Sequence, residues 1–213
     1  QASLAQLLFQ SGRRDEGFAV LQEMAKSNNG RSQASDMWYQ QIKDQPASST
    51  SVTALQQYLS VFSDGDNVTA ARAQLEAQQK QLADPAFRAK AEGLAAVDAG
   101  QGSKAVTELQ KAVSANHADS EAVGALGQAY SQKGDRARAV AQFEKAIALD
   151  PQSDNRGKWD SLLKVNRYWL LIQQGDNALK ANKTAQAERY YQQARNIDNT
   201  DSYAVLGLDR KSV

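Results

Sequence analysis

Small residues return along this chain at one fixed interval. Gly93 is matched by Gly127, Gly100 by Gly134, Ala105 by Ala139, Leu109 by Phe143 and Ala112 by Ala146, each pair about 34 residues apart. Coincidences of that number at a single shift define a repeating unit. The interval holds two helices of about 14 residues with their turns, so the chain must stack helical pairs whose inner faces close on one another.

Composition supports helices throughout. Proline occurs only at Pro46, Pro85 and Pro151, while Ala, Gln, Lys and Glu are abundant, and few stretches suit a strand. Within residues 120–153 the residues Leu126, Gly127, Tyr130, Ala139, Phe143, Ala146 and Pro151 follow the spacing of the tetratricopeptide repeat, with Val123 where that pattern carries an aromatic. The chain therefore resembles the tetratricopeptide family, and the expected fold is an all-α superhelical solenoid of such repeats with one or two unpaired or elongated helices.

The register extends with decaying quality in both directions. Three consecutive units are expected at 52–85, 86–119 and 120–153, with Leu55, Leu59, Phe62, Ala71 and Leu75 packing in the first of them and His117 at the proline position of the second. A further unit fits 168–201 through Leu171, Gly175, Ala178, Ala187, Tyr191 and Ala194, and residues 1–31 fit a partial unit through Leu4, Leu8, Gly12, Gly17, Leu21 and Met24. Two segments interrupt the array. Residues 32–51 carry a short helical pattern, expected to be capped by Ser35 or Asp36 and stopped before Pro46, and read as an inserted unpaired helix. Residues 154–167 read as an insertion or as an extension of the next helix, and a hinge is expected at one or both interruptions. Trp38, Tyr39 and Trp159 lie in these segments and are expected to fill the packing gap left by a missing helix. Residues 202–213 resemble the start of another unit cut short, so the chain reads as a piece of a longer protein.

Inside one unit, Val123, Leu126 and Tyr130 form a stripe facing Val140, Phe143 and Ile147, and Ala139 and Ala146 lie on the seam between them. Gly127 permits the same close approach, at a helix-propensity cost of about 1 kcal/mol relative to Ala. Gly134 suits the left-handed residue that ends a helix and Asp135 the cap of the next, a device repeated at Asp64-Gly65-Asp66 and, with Asn182 in place of glycine, at Asn182-Lys183-Thr184.

The residues that carry most enzyme chemistry are sparse. With no Cys and with His117 as the one histidine, no soft-ligand set for zinc and no disulfide exists. Asp64-Gly65-Asp66-Asn67 resembles the opening of a calcium loop, but Leu75 stands where the closing Glu is required. Gly93, Gly100 and Gly102 follow no strand and form no phosphate loop, and the sequons at Asn67 and Asn182 are weak patterns. No catalytic residue, cofactor site or metal site is expected. The formal charge of +1, from 25 bases and 24 acids spread along the chain, gives no footprint for nucleic acid. No run of about 18 apolar residues is present to insert into a membrane.

Residues 167–208 (RYWLLIQQGDNALKANKTAQAERYYQQARNIDNTDSYAVLGL), together with QFEKAIALDP, resemble more narrowly the periplasmic repeat region of a bacterial family encoded with cellulose synthase. That resemblance implies a periplasmic, non-enzymatic scaffold whose partners are other proteins of the cellulose synthase complex, in a full-length chain continuing into an outer-membrane barrel. It leaves open a second role, direct binding of cellulose or a cello-oligosaccharide along the groove. In tetratricopeptide proteins the first helix of each unit lines a concave face, which here implies the groove residues Gln56, Phe87, Lys90, Gln128, Gln132, Trp169, Asp176 and Lys180. The lining is polar and mixed in sign, and Lys90 lacks the Asn with which co-chaperones of the family grip a peptide carboxylate. At the level of the seam, Ala139→Leu is expected to cost about 1–3 kcal/mol by overpacking, read as a lowered thermal midpoint.

Overall fold

The computed structural model describes residues 1–198 and Gly207, and divides the chain into two compact units, Gln1–Ala91 and Glu92–Val213. Among the described residues every regular element is an α-helix. The first unit contains α1 (Ala2–Gln10), α2 (Arg14–Ala25), α3 (Asn28–Ile42), α4 (Ser49–Val61) and α5 (Asp66–Leu82). The boundary falls inside α6 (Pro85–Asp98), and the second unit continues with α7 (Gly102–Ala115), α8 (Ser120–Gln132), α9 (Arg136–Leu149), α10 (Arg156–Lys180) and α11 (Thr184–Ile197). The further unit expected from residue 202 lies, apart from Gly207, outside the described residues.

One turn recurs between paired helices, and its chemistry is local. Gly12, Gly100 and Gly134 have φ near +79°, +72° and +79°, and Asn182 takes the same left-handed position with φ 60°. Each lets the next amide reach back five residues: Arg13 to the Leu8 carbonyl at 2.8 Å, Gln101 to Ala96 at 2.8 Å, Asp135 to Tyr130 at 2.9 Å and Lys183 to Ala178 at 2.8 Å. This closure satisfies carbonyls that a helix end otherwise leaves bare. At the third turn the Asp135 carboxylate accepts from the Arg138 amide at 3.2 Å and from its guanidinium at 2.7 Å, and that side-chain bond holds its pKa below the usual carboxylate range.

In the second unit, glycines set how closely the paired helices approach. A Cβ on Gly93 would lie 2.5 Å from Leu109, on Gly127 3.0 Å from the Phe143 ring, and on Gly175 2.6 Å from the Tyr191 ring. Each glycine precedes its partner by sixteen residues, which carries the chain down one helix, round the turn and back to the same level. Ala105, Ala139 and Ala187, and the large residues Leu109, Phe143 and Tyr191, are all fully buried beside these contacts. Residues 156–167 are continuous with the helix after them, so α10 has 25 residues. Its Trp159 is 3% exposed and lies over α8 at Gly124, where a Cβ would fall 2.2 Å from the indole Nε1.

The first unit is built around α3. This helix begins at Asn28, and its cap is Ser27, which accepts from the Gly30 amide at 3.1 Å; the expected cap at Ser35 or Asp36 is thus corrected. Asn28-Asn29-Gly30 has poor helix propensity and reads as a loop, but a strong cap and tertiary packing outweigh it. Trp38, 7% exposed, is the hub of an aromatic cluster, its ring 5.2 Å from Phe18, 5.7 Å from Phe62 and 6.4 Å from Tyr58. Arg31 ties neighbouring helices to α3: its guanidinium donates to the Ala25 carbonyl of α2 at 3.0 Å and to the Val61 carbonyl of α4 at 2.6 Å, and lies over the Phe62 ring. On the other side Gln74 of α5 donates to the Lys43 carbonyl at 2.9 Å.

Two glycines separate packing from intrinsic propensity. Gly124→Ala places a methyl 2.2 Å from the Trp159 indole nitrogen, well inside contact distance, and is expected to cost about 1–3 kcal/mol. Gly157→Ala, with nothing within 4 Å of the new Cβ, is expected to gain up to about 1 kcal/mol. Urea unfolding midpoints of the two variants measure both effects.

Candidate functional site

No helix among the described residues is long and apolar enough to cross a membrane, and no group of three His, Cys, Asp or Glu side chains there is arranged to hold a metal ion. What the chain presents is a set of clefts, three of them formed by helices of the first unit.

The first cleft, of about 380 Å³, lies between α2 and α4 and is floored by Trp38 and Ile42 of α3, with Arg14, Phe18, Gln57 and Ser60 on its walls. Arg14 packs over the Phe18 ring, its charge centre 5.2 Å from the ring centroid. A second, of about 600 Å³, is polar and gathers Arg31, Ser35, Asp36, Asp64, Asp66 and Asn67 at the turn before α5. There the Asn67 amide donates to the Asp36 carboxylate at 2.8 Å, and Asp64-Gly65-Asp66 opens α5, with Gly65 at φ +105° and Asp66 in the first turn. The third, of about 490 Å³, is a trough flanked by α1 and α3, with Phe9 and Met37 at its base and Gln6, Gln10, Gln33, Gln40 and Gln41 along its sides.

None of the eight sequence-derived groove residues lines these clefts. In the first unit Gln56 is exposed on α4, Phe87 is 37% exposed and Lys90 is half-buried, both on α6. In the second unit Gln128 is half-buried on α8. Near it, the Gln132 amide donates to the Val97 carbonyl at 2.9 Å and so bonds α6 to α8. Trp169 is half-buried on α10, edge-on to Tyr168 with Arg136 over its ring, which leaves only part of it for a partner. Asp176 accepts the Tyr191 phenol across the α10–α11 seam, and Lys180 stands exposed in the last turn of α10. Trp38 and Trp159 are core residues, and His117 is exposed in the turn before α8.

The trough glutamines escaped the sequence reading for an identifiable reason. α1 precedes the clear register and α3 lies in the segment that interrupts it, so the family spacing gives neither helix a groove face. Their signal in the sequence is glutamine at helical spacing, Gln6 and Gln10 one turn apart and Gln33 and Gln40 two turns apart with Gln41 beside them.

A family model for the tetratricopeptide repeat matches residues 90–154. Cellulose synthase operon protein C of Escherichia coli strain K12 is 72% identical over 208 residues, which cover 98% of this chain and 18% of that protein. The protein of the same name from Salmonella typhimurium is 75% identical over an equal span. The chain thus spans less than a fifth of the length of these relatives. Among solved structures, the C-terminal part of a repeat-containing protein from Cytophaga hutchinsonii aligns with a TM-score of 0.39 at 15% identity, over 98% of this chain and 99% of that one. The repeat chemistry of the turns and seams, the family match and the similarity along nearly all of its length make this chain a tetratricopeptide-repeat protein similar to one segment of cellulose synthase operon protein C.

Proposed function

We propose that this chain is a non-catalytic protein-interaction scaffold of bacterial cellulose synthesis and export, acting in the periplasm and linking synthase components to an outer-membrane export pore. The observation that carries this reading is the 72–75% identity, over 98% of the chain, to cellulose synthase operon protein C. The physical character of the chain agrees with it. Its buried groups are absorbed in helix seams, whereas its exposed helix faces carry balanced charge and amide side chains suited to broad polar contact. Gln56, Phe87, Lys90, Gln128, Gln132, Trp169, Asp176 and Lys180 are the positions proposed to meet those partners.

The test uses the 213-residue chain on a sensor surface with purified periplasmic portions of cellulose synthase subunits as analytes. Saturable binding of at least one subunit is expected, weakened about tenfold or more by Gln128→Arg combined with Lys180→Glu, since charge reversal and steric bulk on a docking face each cost a kilocalorie or so. A folded chain that binds none of the subunits contradicts the scaffold reading, and unchanged binding by the double variant removes this groove from it.

A further inference from the structure

The trough between α1 and α3 is distinguished by its chemistry. Its lining contains no charged side chain: beside the five glutamines stand Ala2, Ser3, Phe9 and Met37. The remainder of the chain is about a quarter charged, so an uncharged lining of this extent excludes ligands held by ion pairs. Gln6, Gln10, Gln33 and Gln40 are exposed, and their amides are not engaged with other groups of the chain among the described residues. Each amide offers one acceptor and two donors, the complement of a hydroxyl, which both donates and accepts. Arg14 is turned to Gln41, donating to its side-chain oxygen at 3.3 Å and to its carbonyl at 3.4 Å, and it lines the other cleft.

Spacing narrows the ligand further. Gln6 and Gln10 are one turn apart on α1, as are Gln33 and Met37, and Met37 and Gln40 or Gln41, on α3. The turn advances about 5.4 Å along a helix axis, close to the advance of one ring in an extended β-linked hexose chain. Such a chain meets Gln6 and Gln10 of α1 at successive rings and Gln33 and Gln40 of α3 about two rings apart, with the apolar base of Phe9 and Met37 against its C–H faces. Both apolar residues are half-buried and fixed by packing: Phe9 is edge-on to Phe18 at 5.0 Å and closes over Gly17 of α2. The base of the trough is therefore preorganised before any ligand arrives.

We infer that the α1–α3 trough is a binding site for a short stretch of neutral β-linked glucan, held by Gln6, Gln10, Gln33 and Gln40 over Phe9 and Met37. Neutrality and spacing come from the trough itself. The choice of a β-1,4-glucan among neutral polyhydroxyl chains rests on the proposed role in cellulose synthesis.

The test is a titration of the 213-residue chain with cellohexaose, followed by amide NMR, with maltohexaose and an uncharged glycine-serine peptide as parallel ligands. Saturable shifts of the side-chain amides of Gln6, Gln10, Gln33 and Gln40 are expected with cellohexaose. Gln33→Ala combined with Gln40→Ala, both exposed, is expected to weaken binding about tenfold through two lost hydrogen bonds while leaving the thermal midpoint unchanged. Absence of shifts in the trough, shifts confined to other helices, undiminished binding by the double variant, or equal response to maltohexaose or to the peptide each overturns the assignment. Capture of synthase subunits by the same double variant separates the two readings: it persists if only the glucan site is wrong, and is absent from the unmodified chain if the scaffold reading is wrong.

Discussion

In the second unit, a glycine on one helix receives the largest buried side chain of its partner, and the helices come only as close as that contact allows. Leu109, Phe143 and Tyr191 lie against Gly93, Gly127 and Gly175, and any side chain at those glycines would meet atoms at 3.0 Å or less. Tyr191 is held from two sides, since a Cβ on Gly207 would also approach its ring to 2.4 Å. The glycines sacrifice helix propensity, about 1 kcal/mol each relative to Ala, for burial of a side chain whose removal from water is worth roughly 1.5–3 kcal/mol. The exchange favours the packed pair. It also fixes register, because a slip along either helix would drive the large residue into backbone.

The first unit meets the same need differently. There the aromatic comes first and the glycine second, Phe9 of α1 closing over Gly17 of α2, and the larger gap around α3 is filled by the Trp38 cluster. Arg31 adds a polar clamp, because the last carbonyls of α2 and α4 both need donors and one planar guanidinium satisfies them together. Packing density and polar satisfaction thus replace the repeat spacing as the source of order. Helix α3, whose sequence departs from the repeat, still belongs to a core.

The recurrence of Gly93, Gly127 and their neighbours made the helical pairs, the left-handed turns at Gly100, Gly134 and Asn182, and the Asp135 cap readable from sequence, because these are short-range features governed by spacing and backbone conformation. Ser27 was not readable as a cap, since the polar run after it looks like a loop until α3 is seen packed through Trp38. Nor was the clamp at Arg31, which joins carbonyls 36 residues apart in sequence and leaves no periodic trace. The trough glutamines were visible as letters, yet only the juxtaposition of α1 and α3 makes them one surface. Family spacing predicted groove positions that are scattered among exposed, half-buried and internally bonded side chains. The uncharged cleft lies on helices that the family pattern fits least.

The central physical claim, that glycine and large residue act as one seam, is most directly tested by a double-mutant cycle at Gly127 and Phe143 using urea unfolding. Gly127→Ala is expected to destabilise the chain by about 1–2 kcal/mol when Phe143 is present, and to be neutral or stabilising beside Phe143→Val, which removes the ring atoms Cδ1 and Cε1 that the new methyl meets at 3.0 Å, giving a coupling energy of at least about 1 kcal/mol. Strictly additive effects of the two substitutions would contradict it.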